Sequence, residues 1–123
     1  MPGVETEETA NLISADKVEG TAVYNAEGEK LGSVEDVMLD KRGGNVAYAV
    51  MSFGGFLGMG EKHHPLPWKT LNYDESRDGY VVNLSKEQLE GAPTLDREEK
   101  NRLYDRDYGA SVHEYYGVTP YWV

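Results

Sequence analysis

From residue 12 to residue 84 the chain is a series of short apolar runs, each closed by a turn signal after roughly ten residues, the pattern of an all-β barrel or sandwich. Thr21-Ala22-Val23-Tyr24 reads as a small strand, with Asn25-Ala26-Glu27-Gly28 as its turn. A longer strand is predicted over residues 30–40. Its alternation breaks near Asp36-Val37-Met38-Leu39, where a bulge or a change of face is expected. Lys41-Arg42-Gly43-Gly44 turns the chain into residues 46–53, which are apolar on both faces and so predict the most buried strand. Residues 62–66 are extended, Pro67-Trp68 caps them, and residues 70–73 follow as an edge strand. Arg77-Asp78-Gly79 reads as a hairpin turn with Gly79 at positive φ, before a last strand carrying Tyr80, Val82 and Leu84.

The period changes after Leu84. Ser85-Lys86-Glu87-Gln88 is a capping-box pattern opening a short helix that ends at Gly91. Asp96 is expected to start a second helix from Arg97 to about Asp107, with Tyr104 and Tyr108 sharing its apolar side. Five of the nine tyrosines and one of the two tryptophans follow Lys100. Each large aromatic buries on the order of 150–250 Å² when packed, and mobile tails are poor in aromatics. The tail is therefore expected to pack, either on its own barrel or on a second subunit. The chain divides into an acidic lead-in at residues 1–11, a barrel domain at 12–96 and a C-terminal helix and aromatic tail at 97–123.

Charge and composition exclude several functions. Twenty-two acids against twelve bases give a net charge of -10, which opposes direct nucleic-acid binding and attachment to anionic membranes. Without cysteine there is no disulfide, thiolate metal site or cysteine nucleophile. The first ten residues hold three glutamates and no base, unlike a signal peptide, and no apolar run suffices for a membrane span. A cytoplasmic protein without membrane insertion is expected.

The segment from Phe53 to Lys62 nearly matches a phosphate-binding loop, since Gly55 and Gly60 have the right separation. Glu61, however, stands where the phosphate-contacting lysine is needed, and Lys62 where the Ser/Thr belongs. His63 and His64 are adjacent, so on a strand they point to opposite faces and do not chelate one ion together. No nucleophile elbow is present, and the paired carboxylates are those expected of so acidic a chain. No catalytic residue, metal site or cofactor is predicted, and the protein is not expected to be an enzyme.

Five motifs occur in order: residues 12–20, residues 28–40, residues 46–50 running into 53–60, Pro65-Leu66-Pro67-Trp68, and residues 84–89. On these the chain resembles the PRC-barrel family, named for the cytoplasmic domain of the photosynthetic reaction centre H subunit. The resemblance implies a small closed β-barrel of about six strands, to which this chain adds short C-terminal helices and its aromatic-rich tail. It also implies a non-enzymatic role in protein contacts. The expected function is an interaction or assembly module whose partner is another protein chain, foremost a second copy. The residues expected to carry the contact are Phe53, Phe56, Leu57 and Met59 in the loop and Tyr115, Tyr116, Tyr121 and Trp122 in the tail. Two rival readings are a ribosome-associated or RNA-processing accessory factor acting through protein contacts, and a small-ligand or metal sensor using His63, His64 or an interior pocket.

Overall fold

The computed structural model describes residues 12–53 and 62–123, so Phe56, Leu57 and Met59, like the acidic lead-in, lie outside the described residues. A single turn of helix, α1 (Ala15–Val18), precedes strands β1 (Ala22–Asn25), β2 (Lys30–Leu39), β3 (Val46–Phe53) and β4 (Lys62–Pro67). A 3-10 turn over Trp68–Thr70 leads to β5 (Asn72–Asp74) and β6 (Gly79–Val82). The helices α2 (Lys86–Glu90) and α3 (Arg106–Tyr116) follow, separated by a 3-10 segment over Arg97–Tyr104.

The six strands form one sheet in the order β4-β3-β2-β1-β6-β5, antiparallel except for the β1–β6 pair. Its edge strands β4 and β5 are neighbours in sequence. A flat six-stranded sheet would hold them about 24 Å apart. The five peptide steps from Pro67 to Asn72 reach roughly 17 Å at full extension. The sheet must therefore curl until its two edges approach at the Trp68–Thr70 corner. Among the described residues no ladder joins β4 to β5, so the structure shows the curled six-stranded sheet of the expected barrel without a ladder that closes it. The molecule is mostly β rather than all-β, because helical segments cover the sheet from residue 86 onward.

Curling creates an inside and an outside, and β3 is buried on both. Ala49 and Met51 join Val23, Val34, Leu66 and Val82 in an inner core that Leu89 of α2 plugs. Tyr48 and Val50 face outward and pack under Leu95, Leu103 and Val112 of the C-terminal segment. The bulge expected in β2 is present: the register with β3 shifts between Val34 and Asp36, leaving Glu35 as the extra residue, and again between Met38 and Leu39. Gly32 is required by close approach, since a Cβ there would lie 1.9 Å from the Ser52 carbonyl oxygen.

Two expectations are corrected. In the turn before β6, Asp78 and not Gly79 has positive φ, at 50°. Gly79 lies within β6, where a Cβ would meet the Ala22 carbonyl oxygen at 2.7 Å, so its role is to let β1 and β6 approach. The helix expected from Arg97 to about Asp107 is a 3-10 segment ending at Tyr104, after which Asp105 caps a separate α-helix. Tyr104 and Tyr108 consequently share no buried side: Tyr104 is 77% exposed, while Tyr108 packs on the outer core.

Candidate functional site

The aromatic residues of the tail are organised by α3. Its first turn is held by the Asp105 carboxylate, which accepts from the Asp107 amide at 3.0 Å. Its last turn closes at Gly117, whose φ of 68° is cheap only for glycine. The Val118 amide then donates to the His113 carbonyl, and the chain doubles back so that Tyr121 and Trp122 return to the helix they have just left.

His113 is the hub of this layer. Its ring is buried, and Nδ1 lies 2.7 Å from the Gly109 carbonyl oxygen one helical turn earlier. Tyr48 of β3 packs against the ring with centroids 5.3 Å apart, Tyr121 stacks on it at 6.0 Å, and Trp122 meets it edge-on at 5.5 Å. The Arg106 guanidinium lies 4.7 Å from the centre of the Trp122 ring and Arg102 lies 4.5 Å from that of Tyr108, each a cation–π contact. Gly109 makes the layer possible, because a Cβ there would meet the Tyr48 hydroxyl at 2.7 Å and the Trp122 ring at 3.3 Å. Burial, with Tyr121 and Tyr108 nearby, lifts the Tyr48 phenol to about 12, and among the described residues its hydroxyl has no hydrogen-bond partner.

The Tyr115 hydroxyl donates to the Gln88 carbonyl of α2 at 2.6 Å. Tyr116 is half-buried and touches both cores, and burial raises its phenol. Of the tail residues expected to meet a partner, Tyr116 and Trp122 are thus half-buried in their own chain, while Tyr115 and Tyr121 stay 43% and 37% exposed. Phe53 lies apart from them. It ends β3, about 17 Å along the strand from Tyr48, and packs on the inner core with its ring edge-on to His64 at 5.3 Å.

The adjacent histidines of β4 do point to opposite faces, and both are buried. His63 pairs through Nδ1 with Glu35, the bulge residue of β2. Ser52 lies opposite His63 in the ladder, but its hydroxyl turns to the Ser33 carbonyl at 3.5 Å. His64 faces the inner core, and among the described residues neither ring nitrogen has a hydrogen-bond partner. Burial, reinforced by Lys62 and His63, lowers its pKa to about 4, so the ring is neutral at physiological pH. Among the described residues no three histidine or carboxylate side chains gather as a metal site, and no helix is long and apolar enough to cross a membrane.

Sequence reasoning missed His113 as the centre of the aromatic layer. The available signal was Gly109 four residues before it on one helix face, a gap into which outside rings can pack. A family model described as PRC-barrel domain matches residues 10–89, well over half of the chain. No curated protein matches it.

Proposed function

Because the chain belongs to the PRC-barrel family, we propose that it is a non-enzymatic interaction and assembly module that binds a protein chain, foremost a second copy of itself. The observation that carries this reading is the state of its exposed aromatics. Tyr121 is held by His113 and Tyr48, and Tyr115 by its hydrogen bond to Gln88, yet both keep solvent-facing surface. Rings already ordered in the free protein lose little freedom on binding, which is what an aromatic hot spot requires. In the same reading the curled sheet is the small closed barrel of the family. The cytoplasm suits the protein, because its surplus of acids is repelled by anionic membranes.

Self-association has to overcome the repulsion between two chains of charge -10. A dimer made by apolar burial should therefore tighten with added salt. Sedimentation equilibrium of the full chain is the test. The expected result is a concentration-dependent dimer that strengthens with salt and weakens at least tenfold in the Tyr115→Ser, Tyr121→Ser double variant. A monomer at about 0.1 mM in all salts, a concentration that would half-fill even weak interfaces, defeats self-association.

A further inference from the structure

The start of β3, the Trp68–Thr70 corner and the returning tail enclose a cleft of about 340 Å³. Its lining includes Asn45, Trp68, Lys69, His113, Thr119 and Tyr121. The polar groups are graded by depth. His113, only 2% exposed, lies at the floor. A carbonyl oxygen can only accept, so the contact with the Gly109 carbonyl places the ring proton on Nδ1. In that tautomer Nε2 carries a lone pair that can accept a hydrogen bond.

Lys69 lies at the rim and is exposed. Its ammonium comes within 3.5 Å of the Thr119 carbonyl, and among the described residues no carboxylate pairs with it. Among the described residues it is also the only ionised side chain in the lining, in a chain where acids outnumber bases by 22 to 12. The walls are aromatic: Trp68 is fixed edge-on to Tyr80 at 5.4 Å, and Tyr121 is stacked on His113. Asn45 and Thr119 add short polar side chains that can orient an occupant.

We propose that this cleft binds a small planar monocarboxylic acid with a hydroxyl or N–H donor at the end opposite its carboxylate. The carboxylate meets Lys69 at the rim, the ring lies along Trp68 and Tyr121, and the donor reaches Nε2 of His113. A single cation set in a field of charge -10 favours a monoanion over phosphate or a dicarboxylate. A volume near the lower end of the usual ligand range favours one ring over a nucleotide. Tyr121 belongs to both the cleft and the proposed contact surface, whereas Lys69 and His113 belong to the cleft alone, so binding is read at a concentration where the chain is a monomer.

The test is a calorimetric titration of the full chain with 4-hydroxybenzoate, benzoate and inorganic phosphate, joined to nitrogen NMR of the histidine rings. Saturable binding of 4-hydroxybenzoate is expected, with a shift at Nε2 of His113. Benzoate, lacking the donor, should bind about fivefold more weakly. Lys69→Met, a surface change that leaves the fold intact, should weaken 4-hydroxybenzoate about tenfold. Failure to saturate below about 20 mM overturns the proposal. So does equal affinity for benzoate, for phosphate or for the Lys69→Met variant.

Discussion

Ala49 and Met51 point from β3 into the curl of the sheet, while Tyr48 and Val50 point outward beneath the C-terminal segment. Both faces are dry, but they are closed by different parts of the chain. The inner core is built from residues 18–89, all within the matched family domain. The outer core draws Leu95, Leu103 and Val112 from beyond it. Inside, apolar side chains from all but the edge strand β5 converge. Outside, one strand is covered by a helix, a 3-10 segment and a ring stack, and that cover leaves the Tyr48 and Tyr116 hydroxyls buried without partners among the described residues. The inner core is the domain's own; the outer core is a cover laid over it by a segment that follows.

The strongest way to break this contrast is to remove the cover. A chain ending after Ala92 loses Leu95, Leu103 and Val112 and exposes Tyr48 and Val50. We expect a loss of about 4 kcal/mol or more with a tendency to aggregate, read by urea unfolding and light scattering. Unchanged stability would mean that the outer core contributes nothing to the domain. Matched truncations come next. Leu66→Ala in the inner core should cost about 4 kcal/mol, and Leu103→Ala in the outer core about 2.5, because a peripheral segment relaxes around a cavity more easily. Equal costs would show the two cores to be equally rigid.

The third prediction concerns His64, the polar exception in the inner core. Its folded pKa of about 4 lies below the unfolded value of about 6.5. Stability is therefore intact above pH 6.5 and is lost as pH falls toward 4, by about 2 kcal/mol at pH 5. In His64→Leu the difference in stability between pH 8 and pH 5 should shrink by about that amount, measured by urea titration at the two values. A difference as large as in the parent would take the acid sensitivity away from His64. The smallest effects are expected at the caps. Ser85→Ala at the helix that plugs the inner core and Asp105→Ala at the helix that covers the outer one should each cost about 1 kcal/mol. A thermal melt of each single variant and of the pair tests whether the costs add. A shortfall would show that the Tyr115–Gln88 hydrogen bond couples the two helices.

The inner core was the more legible half. Residues 46–53 read as buried on both faces because they are, and the broken alternation around Asp36 marked a bulge. Ser85 and Gln88 form the reciprocal cap their spacing predicts. The C-terminal segment misled because Asp96 and Asp105 both have the chemistry of a cap, and the Tyr104–Tyr108 spacing suggested one continuous helix across the second. Nor does sequence reveal which tail rings stay exposed. That depends on how α3 is rotated against β3, which Gly109 permits without specifying. His64 was unreadable for a related reason: its burial comes from Met51 across the ladder and from Phe53, residues a dozen positions away.

The order of the two cores along the chain also has a meaning in time. Synthesis runs from the N-terminus at about 5–20 residues per second, so Val112 follows Leu89 by roughly one to five seconds. Through that interval a newborn chain can complete its inner core but has nothing to lay over Tyr48 and Val50. The chain is at its most adhesive in that interval, and a neighbouring nascent copy would meet that bare strand.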